Sequence, residues 1–493
     1  MVADAIPPKI PTGVPGLDLI LNGGLQAGRV YLVEGTPGTG KTTLALQFLL
    51  CGLQAGQKGL YVTLSESAAE LRAVATSHGW SLDQIELYEL VSEEGLDPDQ
   101  EQSVLHPAEL ELGETTRAVM ARVDVTRPSR VVFDSLSEMR LLAQNALRYR
   151  RQVLALKQFF TQRDCTVLLL DDRTSERSDL QLHSIAHGVV QLETLPLDYG
   201  ADRRRLRAIK LRGTTFRGGW HDYTIRRGGL LTFPRLEAGD HRLERRDEVV
   251  GSGSAGLDAL LGGGLVRGTN TLLGGPAGTG KTSVATAFVT AALNRGERAA
   301  YFVFDEGLPT MLTRSATLGM DLRPHIESGL LTLRQIDPAE MSPGQFATIV
   351  QQSVRDNHCS IVVIDSLNAY LQSMPGEQYL LLQMHELLSF LNHCNAITLM
   401  VLGQQGLIGE LRSNVDLSYL ADSIVLLRFF EMQGEVRKAI SVLKTRTLAH
   451  EATVRELVLG REGIGVGEPL REFRGVLRGA PEWAGSELPA GDA

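Results

Sequence analysis

Four cysteines in 493 residues, at 51, 165, 359 and 394, are too few and too widely spaced to frame a disulfide-stapled fold or a zinc site. Most sit in apolar runs and read as buried thiols. No uninterrupted apolar stretch approaches the roughly 18 residues of a membrane span. Met1-Val2-Ala3-Asp4-Ala5 has no basic region followed by an apolar core. The chain therefore reads as cytoplasmic, with no membrane partner. Basic residues are outnumbered, 49 against 58 acidic, and a net charge of −9 supplies no overall field for DNA or an anionic surface. Arg148-Tyr149-Arg150-Arg151 and Arg203-Arg204-Arg205 are local exceptions and read as solvated helix and loop faces. Nucleic acid is not the expected partner. The remainder, 43% apolar and 22% charged, is ordinary for globular protein. The length suits roughly two to four domains.

What is present is one stretch written twice. Gly35-Thr36-Pro37-Gly38-Thr39-Gly40-Lys41-Thr42 and Gly275-Pro276-Ala277-Gly278-Thr279-Gly280-Lys281-Thr282 both fit G-x-x-x-x-G-K-[ST]. In that loop, backbone N–H groups cradle nucleotide phosphates and the lysine reaches the β- and γ-phosphates. The hydroxyls of Thr42 and Thr282 are the expected Mg²⁺ ligands. The motif requires a strand before the loop and a helix after it. Residues 29–34 (RVYLVE) and 269–273 (TNTLL) supply the strands; Leu44, Ala45, Phe48 and Leu49, and Val284, Ala285, Phe288 and Val289, supply helical spacing. ATP at two sites is the expectation.

The repeat extends beyond the loops. Residues 60–66 (LYVTLSE) match 300–306 (AYFVFDE), 131–135 (VVFDS) match 362–366 (VVIDS), and 209–212 (IKLR) match 443–446 (LKTR). A period this long means duplicated domains. Short apolar strands alternating with helical stretches predict an α/β fold, two tandem P-loop domains each built on a mainly parallel sheet with helices on both faces. The expected domains are 1–245 and 246–478, split in a polar run near 237–250, with a loose tail at 479–493.

Asp134 and Asp365 end apolar strands and are the expected Mg²⁺-holding acids. Glu66, Asp305 and Glu306 end the next strands, where a carboxylate orients or deprotonates the attacking water. Lys210 and Arg212, and Lys444 and Arg446, alternate onto one face of a late strand. Such a pair can reach a γ-phosphate held by a neighbouring subunit. Asp171-Asp172 corresponds in sequence to Leu402-Gly403 of the second copy and reads as structural, or local to the first domain.

In this order, these motifs resemble the KaiC family of tandem RecA-like ATPases over essentially the whole chain. The resemblance implies hexameric rings with ATP between subunits, a slow ATPase in the first domain, and autokinase and autophosphatase activity in the second. The family's paired glutamates fall on Ser65-Glu66 and Asp305-Glu306, and its phosphorylated residues on Ser418-Tyr419 and Ser413. The tail differs from the long partner-binding tail of the clock protein. The resemblance thus implies a signalling ATPase outside the core clock, acting on a protein partner that these residues do not identify. Two alternatives share the fold: a nucleotide-gated scaffold with little hydrolysis, and a RecA-type DNA-dependent motor.

Overall fold

The computed structural model describes residues 8–90, 107–143, 145–172, 180–197, 199–237, 244, 246–372, 380–403, 418–478 and 481–483. The chain divides into two compact units, Met1–Arg235 and Leu236–Ala493. Ser413 and most of the expected tail lie outside the described residues, although Glu482–Trp483 pairs with Phe473–Arg474.

Each unit contains a nine-stranded sheet, and the strand order is the same in both. In the first unit, Val30–Gly35 lies at the centre, flanked in parallel by Thr166–Asp172 and Gly188–Leu195. Arg130–Asp134, Gly59–Thr63 and Glu86–Glu89 continue the parallel part on one side. On the other side Arg203–Leu211, His221–Arg226 and Gly229–Phe233 add an antiparallel meander. In the second unit Asn270–Gly275 is central between Ile397–Gly403 and Ser423–Met432. Cys359–Asp365, Arg298–Val303 and Leu331–Gln335 extend one side; Glu435–Thr445, Arg455–Gly460 and Gly463–Pro469 form the other.

Continuous apolar runs suit this architecture because a parallel strand buries both faces. Tyr31 and Val33 enter the core shared with the helix Lys41–Gln54, while Val30 and Leu32 enter the core on the opposite face. The second unit repeats the division: Leu273 packs with the helix Lys281–Asn294, and Leu272 packs with the helices Pro343–Arg355 and Leu380–His393. The fold is two tandem RecA-like α/β units.

The sequence gives no hint of the meander's role, which is to brace the phosphate-type loop. Tyr223 donates its phenol proton to the Thr39 carbonyl at 2.6 Å, and Gln47 bonds both backbone groups of Leu230. Gly40 has φ 89°, and a Cβ there would lie 2.5 Å from Ile225 of the same meander. Only glycine takes that backbone conformation without strain and leaves that space free.

Candidate functional site

Both loops end at the carboxyl edge of their sheets and lead directly into a helix. Neither helix has a side-chain cap at its N-terminus. The first-turn N–H groups therefore lack both intrahelical carbonyls and a capping oxygen, an arrangement that suits an anion.

In the first unit, the Lys41 ammonium donates to the carbonyls of Gly35 (2.9 Å) and Thr36 (3.1 Å). It also pairs with Asp172 at 2.6 Å. Asp134 is buried at the end of its strand and accepts the Tyr61 phenol proton at 2.5 Å. Thr42 bonds the same phenol. Burial raises the Asp134 carboxyl above its ordinary range, against the opposing pull of the Tyr61 bond. Glu66 is held in a turn by Thr63, whose hydroxyl donates to the Glu66 carbonyl and accepts from its N–H. Its Oε2 is buried without a hydrogen-bond partner. Burial first, then the negative charges of Asp134, Glu70 and Asp172, raise this carboxyl, with Lys41 opposing.

The second unit keeps the frame and changes the wiring. Tyr301 donates to Asp365 at 3.0 Å, and the Thr282 hydroxyl bonds that carboxylate directly. Lys281 donates to the Pro276 carbonyl at 2.6 Å. Burial depresses its ammonium to about 8, with Asp365 opposing the shift. Asp305 accepts a short bond from the Ser366 hydroxyl. Glu306 is clamped by both guanidinium nitrogens of Arg314, at 2.9 and 2.8 Å. The residue at Arg314's place in the first unit is Val74, so Glu66 has no such clamp. The two glutamates expected to be equivalent differ: one is open and the other tied to a cation.

The structure thus gathers Lys41, Thr42, Asp134 and Glu66 in one place, and Lys281, Thr282 and Asp365 in another. It does not bring Lys210, Arg212, Lys444 or Arg446 to these edges. Lys210 pairs in register with Val189 near the start of its strand, and donates to the carbonyls of His183 and Ala186. Arg212 donates to Ser184 O at 2.9 Å. Lys444 donates to Ala421 O at 2.9 Å, and Arg446 lies 3.5 Å from Asp422. All four lie at the amino edge of the parallel strands, opposite the loop of their own unit.

Sequence reasoning missed Tyr61 and Tyr301, Arg314 and Asp172. The tyrosines were detectable, because both occupy the second position of the matched strands LYVT and AYFV. Asp172 stood out only as an unmatched acid. Among the described residues no cluster of three potential ligands forms a separate metal centre, and no helix is long and apolar enough to cross a membrane.

Two RecA-like units, each presenting an uncapped helix N-terminus, a loop lysine and a buried aspartate beside a threonine, define a tandem P-loop ATPase. A family model described as the KaiC ATPase matches residues 10–237 and again 250–471, and the chain belongs to that family. It is 28% identical over 478 residues to the circadian clock protein KaiC3 of Synechocystis sp., covering 96% of this chain and 94% of the relative. It is 29% identical over 502 residues to the circadian clock oscillator protein KaiC of Thermostichus vulcanus, covering 96% and 92%. The KaiC of Synechococcus elongatus is 28% identical over 502 residues, with the same coverage.

Proposed function

We propose that the chain binds Mg·ATP at both loops, hydrolyses it, and assembles into a ring in which each site is completed by a neighbouring copy. The observation that carries this reading is the duplicated cradle: two uncapped helix N-termini, each with a lysine and a buried Asp–Tyr–Thr group at the same sheet edge. The loop residues 35–42 and 275–282 would wrap the phosphates, with Thr42 and Asp134, and Thr282 and Asp365, as the oxygen donors for Mg²⁺. When bound, the metal would neutralise charge on the β- and γ-phosphate oxygens. Glu66 would take the proton of the attacking water in the first site. In the second, Asp305 and Glu306 are the acids available for that task. Titration of the wild type should find two nucleotides per chain, and Lys41→Ala and Lys281→Ala should each remove one. A single nucleotide per wild-type chain would sink the double-site reading.

The placement of Lys210, Arg212, Lys444 and Arg446 supports a ring. Cations at the amino edge cannot serve the loop at the opposite edge of their own sheet, but they can meet a loop presented by another copy. Mixing Arg212→Ala chains with Glu66→Gln chains should restore part of the first-site activity, because a hybrid interface can take Glu66 from one copy and Arg212 from the other. Mixed assemblies with no recovery would argue against a role across the interface.

Serine autophosphorylation in the second unit is part of the same proposal. Ser418 opens the short turn Ser418–Leu420, and Lys444 and Arg446 bond the next two residues, Ala421 and Asp422. The acceptor and the cations thus share the edge that would face a neighbour's γ-phosphate. Tyr419 carries its hydroxyl several ångströms farther from the backbone than a threonine would, so Ser418 is the better acceptor, with Ser413 second. Incubation with Mg·ATP and peptide mass mapping should place phosphate on Ser418, lost in Lys281→Ala. A second unit without phosphate would leave an ATPase alone.

A further inference from the structure

The two loops differ in one charged contact, and the difference follows from register. In the first sheet Gly35, which opens the loop, lies beside Asp172 on the neighbouring parallel strand. In the second, Gly275 lies beside Gly403. Asp172 can therefore reach its loop lysine at 2.6 Å, whereas Lys281 has no carboxylate at that position. An ammonium has three protons to donate. Those of Lys41 go to Gly35 O, Thr36 O and Asp172, so the direction open to a ligand is already taken by an anion. The second carboxylate oxygen of Asp172 accepts from Ser137 at 3.3 Å, and Ser137 contacts Ser135 at 2.6 Å. In the second unit the serine matching Ser135, Ser366, bonds Asp305 instead. The first unit has Ser65 where the second has Asp305. One carboxylate has in effect moved from the end of one strand to the end of another, and in its new place it holds the loop lysine.

Resting on the reading of the first loop as an ATP site, we propose that Asp172 is an internal competitor for the phosphate position on Lys41, which makes the first site the weaker of the two. Triphosphate entering this site must break the Lys41–Asp172 pair and then lie near the displaced carboxylate, which Ser137 still retains. Both effects oppose binding, and neither operates at Lys281. There the desolvated ammonium feels Asp365 through its charge, but the place that Asp172 takes beside Lys41 belongs to Gly403, so phosphate arrives without displacing a carboxylate from it. At limiting ATP, the second site therefore fills first.

The test uses the full chain. Lys281→Ala isolates the first site, and binding of Mg·ATP is measured with Asp172 present, with Asp172→Asn, and with Asp172→Gly, the residue type that the second sheet tolerates at this register. Both substitutions should tighten binding on the order of tenfold, the scale of one charge-pair contact. The reciprocal Gly403→Asp, made in a Lys41→Ala chain, should weaken the second site by a similar factor. Mere structural damage would not tighten binding, so a gain in affinity marks competition. If Lys281→Ala binds ATP but both Asp172 variants bind it equally or more weakly, the competitor role is overturned while the ATP site stands. If Lys281→Ala binds no ATP whether or not Asp172 is present, the first loop is not an ATP site, and both the reading and the proposal fall.

Discussion

Glu66→Gln is expected to lower ATP hydrolysis at the first site by about 10²–10⁴-fold, the range contributed by a positioned general base, while ATP stays bound. The side chain keeps its size, so the loop and the Thr63-held turn should persist. The wild-type carboxyl is raised above its ordinary range by burial and by the charges of Asp134, Glu70 and Asp172. A raised pKa makes the carboxylate a stronger base but keeps it protonated to higher pH. First-site turnover should therefore rise with pH through that raised value, and the acid limb should vanish in Glu66→Gln. Turnover measured in a Lys281→Ala chain isolates this site. Hydrolysis within a factor of about three of the parent would show that another group, or none, takes the proton. The matching change at Glu306 should cost less as long as Arg314 holds that carboxylate, because both of its oxygens already face the guanidinium and not an attacking water.

The contrast between Glu66 and Glu306 marks where sequence reading stops. The loops, the strands that precede them, and Asp134 and Asp365 were all legible, because each depends on residues within one short stretch. The shared strand order was foreshadowed by the duplication. The clamp on Glu306 was not legible: Arg314 reaches it from a neighbouring helical turn, and its cognate in the first half is an unremarkable valine. Asp172 was harder still. Its contact with Lys41 depends on a parallel pairing between Gly35 and a residue 137 positions later, and such a register is set by the whole sheet, not by local pattern. Lys210 and Arg212 stood out in the sequence as a repeated pair, but only the antiparallel register shows which edge they occupy. The bracing of the loop by Tyr223 and Gln47 escaped for the same reason, because the meander is far from the loop in sequence.

Lys281→Met should abolish ATP binding at the second site and yet stabilise the empty second unit. Lys281 is buried, donates to the Pro276 carbonyl, and is depressed to about 8 by burial. Holding a charged ammonium there below that pH costs on the order of 3 kcal/mol relative to an ordinary lysine near 10.4. Methionine removes that cost and the hydrogen bond, about 1 kcal/mol. The net gain is about 2 kcal/mol, or roughly 4–8 °C for a unit of this size. The sign of the pH dependence follows. Between about 8 and 10.4 the unfolded chain keeps a proton that the folded site has released, so wild-type stability from this source rises with pH. The advantage of methionine should therefore be full at pH 7 and shrink as pH rises past 8. Lys41→Met is the control, because removing Lys41 strips Asp172 of its cation and should give no gain. Calorimetry of nucleotide-free protein in EDTA at pH 7 and pH 9.5 reads both effects. Equal unfolding midpoints for wild type and Lys281→Met at pH 7 would show that the lysine's burial stores no strain for phosphate to relieve.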